Sequence, residues 1–136
     1  MLMRYLPFLL LAGLALALMA GGADAKEPVW NYSAGSGINS VAISADGEYI
    51  AAGSDEDQVY LFSKNGTLLW SYTAGDAVYS VAISSNGQFI VAGSLDNSVY
   101  LFSKESSTPL WSYTTGNRVW SVAISEDGET IAVGSW

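Results

Sequence analysis

The 136-residue sequence contains no cysteine and no histidine. Without cysteine no disulfide can staple the chain, so even outside the cell packing and hydrogen bonds must hold it. Without histidine it lacks the commonest general base and the commonest metal ligand. Its many serines therefore have no imidazole to activate them, and no Gly-x-Ser-x-Gly elbow is present. A phosphate-cradling glycine loop is missing too. Positive charge is scarce: five Lys and Arg stand against thirteen Asp and Glu, a formal net charge of −8. Beyond residue 25 the basic residues are Lys26, Lys64, Lys104 and Arg118, facing every carboxylate of the chain except Asp24. A phosphate backbone requires clustered Lys and Arg, so no nucleic-acid partner is expected. Nor are any enzyme activity, cofactor, catalytic residue or metal ligand.

One long apolar run is present. It extends from Tyr5 to Ala20 behind the single Arg4 and closes on Gly21-Gly22-Ala23-Asp24-Ala25. A basic start, an apolar middle and small residues at Ala23 and Ala25 are the marks of a secretory signal peptide, here over residues 1–25. The alternative is an uncleaved anchor, since Tyr5 to Ala23 is just long enough to cross a tilted bilayer. No Cys follows the run, which excludes a lipoprotein. The expected location is secreted or cell surface, with no membrane contact beyond the leader. Residues 26–136 then form one domain-sized unit.

That unit repeats itself. Trp30, Trp70 and Trp111, 40 and 41 residues apart, open "WNYSAGSGINSVAISADGEYIAAGS", "WSYTAGDAVYSVAISSNGQFIVAGS" and "WSYTTGNRVWSVAISEDGETIAVGS". The repeats are 30–69, 70–110 and 111–136. A period near 40 suits a four-stranded propeller blade or a helical pair, and the residues choose the former. Asp46-Gly47, Asn86-Gly87 and Asp127-Gly128 each separate two apolar runs, a strong hairpin signal. β-branched and aromatic residues fill those runs, and no helical period is sustained after Ala25. In "VYLF" every position is apolar, which implies strands covered on both faces by neighbouring copies. The expected fold is all-β: a β-propeller fragment of four-stranded antiparallel blades, two complete and one or two partial.

The stretch "VYSVAISSNGQFIVAGSLDNSVYLFSK" resembles the WD-repeat pattern of Ser-x-Asp-Gly leading to Gly-Ser-x-Asp. It departs from that pattern in lacking the Gly-His pair and in ending on Phe62-Ser63 and Phe102-Ser103 instead of Trp-Asp. The turn Asp survives only as Asp96, with Glu56 in the first copy, so the hydrogen-bonded tetrad of that family cannot form. The other half of the unit, "SVYLFSKESSTPLWSYTTG", is similar to the repeat of pyrroloquinoline-quinone (PQQ) type propellers. That resemblance implies a structural role between blades for Trp30, Trp70 and Trp111.

The third copy stops at Trp136, two strands into a blade, and the earliest strand expected is Val29 to Ser33. A ring of about four or more blades needs neighbours from a longer chain or from other copies. Closure by other copies faces an objection: with no third strand after Trp136, an incoming outermost strand would meet a gap of about 5 Å. A truncated piece of a longer propeller is therefore the expectation.

Binding is sought where otherwise identical copies differ. Just before each first blade strand the copies read "SGIN", "DAVY" and "NRVW", so Asp76, Tyr79, Asn117, Arg118 and Trp120 are the candidate interaction rim. The WD-like resemblance places this loop beside a central channel, and Tyr, Trp and Arg are the usual interface anchors. The competing reading is that Tyr79 and Trp120 merely cover neighbouring strands. Asp55-Glu56-Asp57 lacks the spacing of a calcium loop. Asn31-Tyr32-Ser33 and Asn65-Gly66-Thr67 are glycosylation sequons, meaningful only in a host that modifies exported chains. The expected function is an exported, non-enzymatic binding scaffold. The alternative is a piece of a PQQ-dependent, quinoprotein-type dehydrogenase, and a third reading is a surface-layer or adhesion module.

Overall fold

The computed structural model describes residues 15–19 and 28–136. The leader read over residues 1–25 lies outside these except for Ala15–Met19, and so does its processing site after Ala25. All regular structure among the described residues is β, and no helix there is long and apolar enough to cross a membrane. The chain is a β-propeller segment of two complete blades flanked by two half-blades. Strands β3 (Ile38–Ile43), β4 (Tyr49–Ser54), β5 (Gln58–Ser63) and β6 (Leu68–Thr73) form one antiparallel sheet in chain order. Strands β7 (Val78–Ile83), β8 (Phe89–Ser94), β9 (Ser98–Ser103) and β10 (Trp111–Thr114) form the second. A two-stranded sheet of β11 (Val119–Ile124) and β12 (Ile131–Ser135) follows. Another, of β1 (Ala15–Met19) and β2 (Pro28–Ser33), precedes them.

The hairpins form where the turn chemistry demands them. Gly47, Gly87 and Gly128 have φ of 73°, 70° and 77°, a left-handed conformation that costs a Cβ-bearing residue about 1–2 kcal/mol. Around Gly47 the Ser44 hydroxyl donates to Asp46 Oδ1 at 2.6 Å and accepts from the Tyr49 amide at 3.1 Å, while Glu48 N–H reaches the same Oδ1 at 3.0 Å. Ser125, Asp127, Glu129 and Thr130 repeat this arrangement, and Asn86 fills the acid's place in the middle copy. The serine hydrogen bond first, then the backbone N–H, holds the carboxyls of Asp46 and Asp127 below their ordinary value. A carboxylate depressed in the folded state stabilises the fold above its unfolded pKa, and that contribution is lost as pH falls through the folded value. Stability is therefore expected to decline on acidification below the ordinary carboxylate range. The double variant Asp46→Asn/Asp127→Asn, which copies the amide already found at Asn86, is expected to flatten that part of a stability-versus-pH curve, measured by urea unfolding at successive pH values.

The middle strands explain the apolar runs. From position two onward β4 and β8 are buried, and so are the four central residues of β5 and β9. Successive side chains of a strand point to opposite faces, so each strand supplies two interfaces. Val59 and Leu61 join Val78, Val81 and Ile90 in the core between the complete blades. Tyr60 and Phe62, on the other face, pack with Trp30 and Tyr32 of β2. Val91, Val99 and Leu101 then meet Val119 and Val122 of the following half-blade.

Small residues set the spacing between blades. A Cβ on Gly53 would lie 2.6 Å from Val78 Cγ1, and one on Gly93 would lie 2.5 Å from Val119 Cγ1 and 3.0 Å from Val122 Cγ1. Hydrogen bonds repeat across the same interfaces: Val81 N–H donates to Ser40 Oγ and Val122 N–H to Ser80 Oγ, both at 3.1 Å. Trp30 and Trp70 lie against Phe62 and Phe102, with ring centroids 5.6 and 5.2 Å apart. Their indole N–H groups donate to the carbonyls of Lys64 and Lys104 at 2.8 and 2.9 Å. Trp111 and Tyr113 of β10 have no following third strand over them within the described chain and stand exposed.

Strand β1 differs from the expectation that the blades open at Val29. It pairs with β2 in the register Leu16↔Tyr32, Ala17↔Asn31 and Leu18↔Trp30. In the complete blade, β5 meets β6 as Val59↔Tyr72, Tyr60↔Ser71 and Leu61↔Trp70. Residues 15–19 thus hold the position of a third blade strand, and β2 that of a fourth. Composition concealed this, because a run of Leu and Ala reads equally as a leader core and as a strand covered on both faces.

Candidate functional site

The rim is built by the loops entering β3, β7 and β11. Strand β7 contacts both β3 and β11, so the first strands of successive blades converge and bring their entering loops together. Each loop is shaped by its own polar side chains. Asp76 Oδ1 accepts from the Ala77 amide at 2.7 Å, and Asn117 Oδ1 accepts from the Arg118 amide at 2.8 Å. Behind them, Ala77, Val78 and Val119 are buried, so the rim side chains sit on a packed base.

Anchoring from below comes from the acid of the next turn. Asp96 Oδ2 accepts from the Gly75 amide at 2.8 Å and from the Tyr100 hydroxyl at 2.5 Å, while its Oδ1 accepts from Ser98 N–H at 2.8 Å. Glu56 does the same for Gly35 and Tyr60 in the preceding blade. Burial first, then the carboxylate hydrogen bond, pushes both phenols above their ordinary value, so they stay protonated as donors. The same acid–tyrosine–glycine tie is thus made by glutamate in one blade and by aspartate in the next.

Tyr79 and Trp120 meet edge to face with ring centroids 4.9 Å apart, each at the start of a first strand and each over a third exposed. They therefore cover each other while presenting ring surface to solvent. Arg118 and Asn117 join Trp120 and Trp136 in lining a cleft of about 320 Å³. Asp76 stands on the neighbouring loop and does not line this cleft. Trp30, Trp70 and Trp111 lie on the outermost strands, away from the rim.

Two rim participants escaped the comparison of loops. Asp55 accepts at Oδ1 from Asn39 Nδ2 at 2.7 Å, and Trp136, 86% exposed, borders the Arg118 cleft. Asp55, Leu95 and Trp136 are equivalent positions after the second blade strand and differ among the copies. The same rule that singled out Tyr79 and Trp120 would have found them had it been applied at both ends of the hairpin.

A larger cleft, about 400 Å³, lies where the outer edges of the two complete blades meet. Its Lys104 Nζ sits 4.8 Å from the centre of the Tyr49 ring and donates to the Tyr49 hydroxyl at 3.1 Å. Among the described residues, no three His, Cys, Asp or Glu side chains gather as a metal site. The quinone PQQ carries three carboxylates and would call for converging cations. Lys64 is paired with Glu48 at 2.5 Å, Lys104 lies beside Glu105 and Tyr49, and Arg118 stands on a third loop. These residues do not fit that cofactor.

No curated protein matches the chain. The family model described as outer membrane protein assembly factor BamB, a PQQ-type propeller repeat, matches residues 18–135, from within β1 to the last residue of β12. The agreement of that span with the half-blade, two blades and half-blade of the fold places this chain in the PQQ-type β-propeller repeat family of the assembly factor BamB.

Proposed function

We propose that the chain is an exported, non-enzymatic propeller scaffold that docks a protein partner on the rim of Asp76, Tyr79, Asn117, Arg118 and Trp120. The observation that carries this reading is the Tyr79–Trp120 pair: two solvent-facing aromatic rings at 4.9 Å on successive first strands, with Arg118 beside them. Buried scaffold positions repeat from blade to blade while these positions change, as expected where the scaffold is constant and the ligand surface is particular. Trp, Tyr and Arg dominate the residues whose truncation costs most at protein interfaces. The family description supplies a partner class, the proteins of outer membrane assembly. Export through the leader, to the cell surface or beyond, brings the scaffold to such partners. The working form is a completed ring, with neighbouring blades supplied by a longer chain or by other copies.

Photo-crosslinking side chains placed at Tyr79 and at Trp120 in the exported protein test the reading, with Ser112 on the outer edge as control. A discrete protein adduct from both rim positions and none from Ser112 is the expected result. Equal labelling of rim and edge, or none at all, argues against it. Saturable binding of PQQ with Ca²⁺ would overturn it in favour of the dehydrogenase alternative.

A further inference from the structure

We infer that the cleft between the outer edges of the two complete blades binds an uncharged sugar ring of a glycan. Its walls belong wholly to those two blades, so it does not depend on where the chain begins or ends. Glu48, Tyr49, Ser63, Leu69 and Trp70 come from the first blade, and Lys104 and Glu105 from the second. Tyr49 opens β4 and Ser63 closes β5, which puts the cleft at the opposite end of the blades from the rim. Its volume of about 400 Å³ falls in the range of small-ligand sites.

The cleft is particular to this interface. Gly66 lies against Trp30, where a Cβ on it would stand 2.6 Å from the indole ring. The turn that meets Trp70 runs from Lys104 to Pro109, one residue longer than Lys64 to Leu68, and it contains no glycine. Trp70 keeps its indole bond to the Lys104 carbonyl and its packing on Phe102, yet it borders open space. Beside it Leu69 is 43% exposed. On the other wall, Tyr49 carries a hydroxyl that its counterpart Phe89 lacks, and Glu48 a carboxylate where the next blade has Gln88. Packing does not require that hydroxyl. The Tyr49 and Phe89 rings back onto Gly87 and Gly128 alike, each 2.5 Å from where a Cβ would stand.

The polar groups choose the class of ligand. Lys104 is held in place: its side chain is 19% exposed, and its Nζ donates to the Tyr49 hydroxyl at 3.1 Å and lies 3.7 Å from Glu105. An ammonium has three N–H groups, so one remains for an incoming oxygen. Glu48 gives its Oε1 to Lys64, which leaves Oε2, and Glu105 is largely solvent-facing. The cleft is therefore richer in acceptors than in donors. Its two carboxylates disfavour an anion, and Lys104 disfavours a cation. A suitable ligand brings several hydrogen-bond donors without a charge and an apolar face for Leu69 and Trp70. A sugar ring does both, with hydroxyls around its edge and C–H groups on its faces, which the negative face of an indole attracts. A peptide backbone brings one N–H for each C=O and matches the acceptor excess less well.

The test uses the whole 136-residue chain, isotope-labelled for NMR, with the Trp70 indole N–H signal identified by its loss in Trp70→Phe. Cellobiose, maltose and diacetylchitobiose are the probes. Glucuronate, glucosamine and a trialanine blocked at both ends serve as anionic, cationic and peptide comparators. A saturable shift of the Trp70 signal is expected with at least one of the neutral disaccharides, and weaker or no response with the comparators. Tyr49→Phe, which copies Phe89, is expected to weaken that binding about tenfold. Lys104→Met, which keeps the apolar stem, is expected to weaken it at least as much. Unchanged urea midpoints check that both variants fold. No shift with any neutral disaccharide, equal or tighter binding of a comparator, or a shift that survives both substitutions undiminished would each overturn the inference. Rim crosslinking is read without sugar, so either proposal can fail alone.

Discussion

Phe102→Ala is expected to abolish or nearly abolish cooperative folding, at a cost of about 3–5 kcal/mol. The ring is fully buried at the junction of the two complete blades. It touches Trp70 and Tyr72 of β6, with centroids 5.2 and 5.1 Å away, and stacks loosely with Tyr100 at 6.3 Å. Truncation would leave a cavity walled by three aromatic rings, none free to collapse into it. Trp70 is tied by its indole N–H to the Lys104 carbonyl, and β6 is fixed by its ladder to β5. A whole domain is stable by only about 5–15 kcal/mol, so a loss of this size decides whether the blades stay stacked. Leu110→Ala is the matched control. Its side chain is more than half exposed, and surface changes of this kind stay within about 0.5 kcal/mol. Urea unfolding of the full chain, followed by tryptophan fluorescence, compares them. Similar midpoints for the two variants would show that the blade interface does not hold the fold.

Residues 26–136 produced without the leader are expected to be molten or aggregating. Two faces are bare already in the full chain. Val41 and Ile43 lack the preceding inner strands, and Trp111 and Tyr113 lack a following third strand. Full burial of a large apolar side chain stabilises by about 1.5–3 kcal/mol, so these four, each already roughly half covered, forgo on the order of 3–6 kcal/mol in sum. Loss of β1 removes the strand paired to β2 among the described residues and uncovers a second hydrogen-bonding edge, and bare edges invite aggregation. The expected signature is dye binding characteristic of exposed apolar surface, with a broad thermal transition. A sharp, reversible transition from a monodisperse monomer of residues 26–136 would contradict it. It would also show that a stack of repeats can be capped by its own half-blades.

Family membership bears on both results. The Trp30–Phe62, Trp70–Phe102 and Tyr72–Phe102 contacts join the outer strand of one blade to the third strand of the next, so the stability of this chain is a property of interfaces between blades. The rim makes no such demand. Trp120 and Tyr79 can change without uncovering the core, because Val78 and Val119 beneath them carry the packing.

The linear pattern was enough for everything local. The 40-residue period, the Asp-Gly and Asn-Gly turns and the apolar runs such as "VYLF" specify four-stranded blades, because turn conformation and two-sided burial are written in residues close together in the chain. The varying loops likewise pointed to Tyr79 and Trp120. What required three dimensions was every relation between distant segments. That Leu16, Ala17 and Leu18 stand opposite Tyr32, Asn31 and Trp30 depends on a backbone ladder, which any apolar strand can join whatever its side chains. That Asp55 reaches Asn39, and Trp136 the cleft beside Arg118, depends on hairpin closure bringing both ends of two strands to one rim. Hydrogen-bonded strand pairing is indifferent to sequence, so only the folded chain could disclose that residues 15–19 stand as a third blade strand beside β2.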